Sequence, residues 1–203
     1  MTEYLPLLIS LFIGIGLAAA TGFRVFLPIF FLSLGTYLKI IPLDSSYSWI
    51  GTLPAVIATG IATITEIIAY YIPFVDNVLD SITVPLATIA GSMLFASQFT
   101  EISSWIQWSL AIIAGGGTAA TISSVLAGTR AASSGTTAGI ANPIISTVET
   151  ISSTLMSVFA IFLPLLAGIL VVIILFLAFK YGKKILNKIK RSPKQNHFKD
   201  SIY

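Results

Sequence analysis

LPLLISLFIGIGLAAATGFRVFLPIFFLSLGTYL, residues 5–38, carries one charged side chain, Arg24, in 34 residues. As a single α-helix it would be roughly 50 Å long, against a hydrocarbon core of about 30 Å. One ordinary span cannot account for it. The stretch also holds Gly14, Gly16, Gly22 and Pro28, so it reads as two short helical pieces, a hairpin or re-entrant pair, broken near Thr21 and Gly22. A broken helix survives in a membrane only where protein or a wet cavity satisfies the freed backbone groups. Residues 22–28 are therefore expected in the interior.

The rest of the chain agrees that water is not its main solvent. Hydrophobic residues make up 56% and charged residues 9% of the 203, with a mean hydropathy of +0.95, whereas a soluble domain of this length needs about 25% charged residues. A cleavable leader is superficially offered by the apolar start ending in Ala18, Ala19 and Ala20. Residues 1–4 hold no positive charge, however, and the apolar pattern resumes at once, so it is read as a span.

Beyond a polar linker at 39–48, a span is expected at about 50–72, ended by Pro73. A loop containing Asp76 and Asp80 follows, then apolar runs at 82–99 and 105–126 joined by a turn at 101–104. Trp105 and Trp108 suit an interfacial belt. The small and polar stretch GTRAASSGTTAGIAN, 128–142, reads as a connection. Pro143 then opens a segment through Glu149, and a last apolar run covers 155–179, interrupted by Pro164. The fold expected is an all-α, polytopic transmembrane helix bundle of five or six spans with broken or re-entrant helices.

A faint internal repeat runs through it. Each half shows small residues, an arginine (Arg24; Arg130), a proline (Pro28; Pro143) and a glutamate (Glu66; Glu149). If real, it points to the two-repeat construction of transporters, with sites at the repeat interface.

Charge divides the chain in two. Eight of the eleven basic residues lie from Lys180 onward, leaving Arg24, Lys39 and Arg130 against seven acidic residues before it. A transmembrane domain, 1–179, and a basic tail, 180–203, are expected, the tail cytoplasmic because lysines beside a span stay inside. Asp76 and Asp80, in a loop without Lys or Arg, suit the outside. The basic pI of about 9.2 is not read as nucleic-acid binding. KYGKKILNKIKR could lie on anionic headgroups, though a topological stop is the plainer role. His197 stands alone and is assigned nothing. Cysteine is absent, which excludes disulfides and thiolate metal sites.

The candidate site residues are the ionisable groups of the body. Glu66 shares a helical stripe with Thr59, Thr63 and Tyr70, and Glu149 shares one with Asn142, Ser146 and Ser153. A carboxylate in hydrocarbon costs about 2.5 kcal/mol or more, so it faces a cavity or a partner. One reading is a proton or cation site; the other is that the glutamates pair with Arg24 and Arg130 and hold helices together. The arginines could equally meet an anionic substrate or a lipid headgroup, or snorkel to a phosphate, in which case lysine would serve. Small-xxx-small spacing at Gly14, Ala18 and Gly22, and at Gly135 and Gly139, permits close helix contact. No serine or aspartyl protease arrangement and no phosphate-cradling loop is present, so no enzyme, cofactor or metal is expected.

Taken together, GLAAATGFRVFLP (16–28), the Glu66 helix ending in IPFVD (72–76) and TRAASSGTTAGIANP (129–143) followed by Glu149 resemble a bacterial membrane family without an assigned activity, domain-of-unknown-function family 4126, over residues 10–180. The resemblance implies a membrane location and a shared core of Arg24, Glu66, Asp76, Arg130, Asn142 and Glu149. It also implies a charged pair where this chain has Tyr70 and Tyr71, and an acidic residue where it has Thr150. The functional expectation is a small transporter or channel in the cell membrane for an unidentified ion or small solute. Arg24, Glu66, Arg130, Asn142 and Glu149 would bind, with Thr63, Tyr70 and Asp76 in support. The alternative is a non-transporting scaffold or assembly factor. The partners expected are the bilayer and a second copy of the chain.

Overall fold

The computed structural model describes residues 4–43, 45–72, 75–99 and 102–191, the side chains of 4, 77 and 181–191 excepted. Expectations resting on Asp44, Pro73, Glu101 or the tail from 192 on, His197 included, lie outside the described residues. Among those, every regular element is helical. Helix α1 (Tyr4–Phe23) is followed by α2 (Phe26–Tyr37), a 3-10 segment (Ser45–Gly51), α3 (Leu53–Ala69) and α4 (Val75–Ala96). Next, α5 (Ser104–Leu110) passes through a π-helical turn (Ala111–Gly116) into α6 (Gly117–Thr137), and α7 (Asn142–Phe162) and α8 (Pro164–Arg191) close the chain. Among the described residues four helical stretches, with α5, the π-helical turn and α6 counted as one, are long and apolar enough to cross a bilayer, or five if the 3-10 segment and α3, bent by 63° at their junction, make one span. The chain is a multi-pass integral membrane protein.

Prolines set most of the breaks. The ring of a proline excludes the carbonyl of residue i−4 from a continuing helix. Pro28 does this at Arg24, and α1 and α2 separate at Arg24 and Val25, a little beyond the expected Thr21–Gly22. Pro164 likewise follows the break at Leu163, while Pro54 and Pro143 sit in the first turns of α3 and α7, where no N–H is needed.

Helix α1 is the hub, packed on α4, α6, α7 and α8. It runs antiparallel to α7: Ser153 Oγ donates to the Ala20 carbonyl at 2.9 Å, and a Cβ on Gly16 would meet that of Ala160. The expected small-residue contact is present along 14–22, where Ala18 is fully buried and Gly22 abuts Ile122. It is not present at Gly135, which faces nothing within 4 Å, and Gly139 instead forms a turn with φ 83°. Around α3, Leu53, Ile57, Ile61, Ile64 and Ile68 make an exposed apolar row of the kind that faces lipid.

Two sequence expectations are corrected. Residues 128–142 are not simply a connection, because α6 continues to Thr137. The hydroxyls of Thr129, Thr136 and Thr137 return hydrogen bonds to carbonyls four residues back, which keeps a hydroxyl-rich helix dry. Asp76 and Asp80 are not on an exterior loop: both belong to the first turns of α4, and Asp76 is buried.

Helix α4 crosses the π-helical turn and the start of α6 at close range. A Cβ on Gly91 would lie 2.6 Å from that of Ala119 and 3.2 Å from the Gly115 carbonyl, neither of which can rotate away. Gly91→Val should therefore destabilise by about 1–3 kcal/mol or prevent folding, read as a lowered melting temperature in detergent. Wild-type stability in that variant would contradict the close crossing.

Candidate functional site

The C-terminal end of α1, the N-terminal turns of α4 and α7, the end of α3 and the second half of α6 meet at one end of the bundle. Each brings ionisable groups inward. Arg24, at the α1–α2 break, is fully buried. Its Nε donates to Thr150 Oγ1 at 3.1 Å and its Nη2 to the Ser146 carbonyl at 2.9 Å and to Ser146 Oγ, with Glu149 Oε2 3.7 Å away. Arg130, from α6, donates to Asp80 Oδ1 at 2.5 Å and to Glu149 Oε2. Glu149 thus stands between two guanidiniums.

Tyr70 at the C-terminus of α3 joins them. Its ring centre lies 4.2 Å from the guanidinium carbon of Arg24 and 4.1 Å from that of Arg130, cation–π distances worth up to about 2 kcal/mol when desolvated. Thr83 Oγ1 donates to the Leu79 carbonyl, so in the 2.5 Å contact between the two hydroxyls Tyr70 is the donor. Beside this group, Asn142 Nδ2 donates to Asp76 Oδ2 at 2.7 Å and to Ser134 Oγ at 3.1 Å.

Glu66 works differently. Its two oxygens accept the backbone N–H groups of Val25 at 2.8 Å and Phe26 at 3.0 Å. In a continuous helix those N–H groups would go to the carbonyls of Thr21 and Gly22; at the break they are orphans, and a carboxylate is a strong acceptor at a helix N-terminus. Pro28 removes a further donor from the same turn. The side chain that the sequence offers as a substrate ligand is thus the cap of α2.

The expected residues Arg24, Glu66, Arg130, Asn142 and Glu149 are all buried and all come together, as do Tyr70 and Asp76. Thr63 is buried but its hydroxyl turns back to the Thr59 carbonyl, and it does not join the cluster. The stripe Asn142, Ser146, Glu149, Ser153 is the buried face of α7. Asp80 was missed as a site residue. Its signal was the spacing of four from Asp76, which puts both on one face of a helix.

Among the described residues of the cluster, four carboxylates, those of Glu66, Asp76, Asp80 and Glu149, stand with two arginines. Polar atoms remain inside it without a hydrogen-bond partner: Arg24 Nη1, Arg130 Nε, Asn142 Oδ1 and Glu149 Oε1. A cavity of about 10 Å³ opens beside Asp80, Thr83, Ser123 and Arg130, the size of one water molecule. Among the described residues no three histidine or acidic groups are spaced to hold a metal. A larger hollow of about 480 Å³ lies toward the other end of α4, lined by Tyr47, Phe99, Gln107 and Trp108 among others. The close-packed glycines around Gly91 and Gly115 separate the two.

The family model described as Domain of unknown function (DUF4126) matches residues 11–184. The chain belongs to the DUF4126 family. Neither a curated protein nor a solved structure matches it. All the cluster residues fall inside the part that matches DUF4126, so the buried charges belong to the family's domain and not to an appendage. The six residues of the implied shared core each have a place here. In this DUF4126 chain Tyr70 supplies a ring for the arginines where the resemblance implies a charge, and Thr150 accepts from Arg24 where it implies an acid.

Proposed function

We propose that this membrane protein is a small transporter or channel, and that its cargo or coupling ion is a proton or a small monovalent cation. The observation that carries the reading is the excess of buried carboxylates over arginines at a broken helix. An ion pair that only holds helices together is best served by equal charges, whereas carboxylates in excess of arginines inside a membrane protein favour a positive ion. Broken helices beside ionisable groups are how secondary transporters build their sites. An anionic cargo fits less well, because both guanidiniums already meet protein carboxylates. The reading assigns no catalytic residue. It places the protein in the cell membrane with the lysine-rich C-terminus cytoplasmic and near anionic headgroups, and a second copy of the chain would help enclose a path.

The scaffold reading keeps one observation in its favour. The cavity at the cluster holds no more than a water molecule, and most of the polar atoms are engaged by protein. The test is flux in liposomes carrying the purified chain, with gradients of protons, sodium or potassium read by internal dyes. Proton or cation flux in the wild type, lost in folded Glu149→Gln, is the expected result. A folded wild type that moves none of them would favour the scaffold.

A further inference from the structure

We propose that α2, the 3-10 segment and α3 form one rigid arm that rocks on the remaining helices about Arg24, with Tyr70 as the pin that locks it. The conformational claim stands on geometry alone; its meaning as the opening step rests on the transport reading above.

The arm is tied internally. Helices α2 and α3 pack on each other and on the 3-10 segment, and Ser33 Oγ donates to the Ile50 carbonyl at 2.6 Å. Leu32, Ile41 and Ile50 are buried where the arm meets the core it shares with α1, α7 and α8, and α2 also rests on α7. Helix α3 has its packing partners inside the arm and reaches the bundle through the side chains at its C-terminal end.

The hinge lies just ahead of the arm. Arg24 N–H still bonds the Ala20 carbonyl at 3.1 Å and so belongs to α1. The next two N–H groups, Val25 and Phe26, are held by Glu66 of the arm. The change of ownership between residues 24 and 25 leaves the α1 ladder and the α2–α3 unit each intact while the joint between them turns, which is how hinges separate rigid bodies. Pro28 keeps the two helices from fusing.

The pin is aromatic and hydroxylic. Besides Tyr70 among the guanidiniums and against Thr83, Tyr71 donates at 2.7 Å to Thr147 of α7, whose own hydroxyl goes to the Pro143 carbonyl. These contacts can be exchanged for water. Withdrawing Tyr70 uncovers both arginines at once, so a motion of the arm would admit an ion to the charged centre without unpacking the tight α1–α4–α6 crossing.

The chain has no cysteine, so paired labels are clean. Spin labels at Ile68→Cys and Val148→Cys, exposed on α3 and α7, would report the distance across the seam, with a Tyr37→Cys and Leu53→Cys pair inside the arm as control. Two distance populations across the seam are expected, the longer one enriched by Tyr70→Ala, while the pair inside the arm stays single. One unchanging distance across the seam in folded wild type and variant overturns the arm. Should Tyr70→Ala fail to fold, a reducible cross-link between Tyr71→Cys and Thr147→Cys serves: it should stop flux, and reduction should restore it. Flux that persists in the cross-linked protein overturns the arm while sparing the transport reading. Two distance populations without any flux in the wild type keep the arm and sink transport.

Discussion

Glu149→Ala is expected to be the most damaging single substitution, abolishing the folded state or lowering its stability by about 3–5 kcal/mol, the usual consequence of removing one partner of a buried ion pair. Among the described residues, Glu149 Oε2 is the one carboxylate oxygen within ion-pair distance of both Arg24 and Arg130. Without it Arg130 keeps Asp80, but Arg24 keeps only neutral hydrogen-bond acceptors, Ser146 and Thr150, and the more distant carboxylate of Glu66. A fully buried guanidinium with no carboxylate in contact is costly in any medium of low polarity. Membrane proteins share the marginal stabilities of other folds, on the order of 5–15 kcal/mol, so a loss of this size should show as aggregation on size-exclusion chromatography. Glu149→Gln, which keeps the shape and one acceptor, should fold better than the alanine variant. Equal stability of wild type and Glu149→Ala would mean that the glutamate points elsewhere.

The second large effect is expected at Arg24→Lys. An arginine that merely reached for a headgroup phosphate would accept lysine. Arg24 is instead fully buried, with Nε on Thr150, Nη2 on Ser146 and its carbon over Tyr70. An ammonium has no planar fork with which to meet these groups together. Each hydrogen bond to a charged group contributes about 1.5–3 kcal/mol, so losing one or two should cost Arg24→Lys nearly as much as Arg24→Ala. The measurement is the melting temperature of the two variants in the same detergent. A lysine variant as stable as wild type would place Arg24 at the lipid surface.

Much of the architecture was legible because hydropathy and proline report local physics. Pro28 and Pro164 follow breaks that their rings favour and Pro143 starts α7, although Pro85 is carried inside the continuous α4. What misled was composition without geometry. The stretch 128–142 is small and hydroxylic, and nothing in its hydropathy tells that Thr129 and Thr137 satisfy themselves within the helix. Asp76 and Asp80 read as a wet loop because their partners, Asn142 and Arg130, stand 66 and 50 residues away.

The site was legible as a set of residues and not as a circuit. Charges in an apolar helix must be gathered, and that rule alone collected Arg24, Glu66, Arg130 and Glu149. It could not say which meets which. Glu66 caps a helix because α2 happens to begin where its carboxylate arrives, 40 residues back in sequence. Tyr70 sits among guanidiniums because α3 ends there. Both depend on how α2 and α3 dock, which a single strand of sequence does not record.

The claim on which everything else turns is that the charged centre is walled by packed helices. Ser123, 2% exposed and lining the small cavity beside Arg130 and Asp80, reports on it as Ser123→Cys in a chain with no other thiol. With Thr129→Cys on the exposed face of α6 as control, reaction with a charged, membrane-impermeant maleimide should be far slower in native membranes than after denaturation. Labelling of native Ser123→Cys as fast as of the denatured chain would contradict the account.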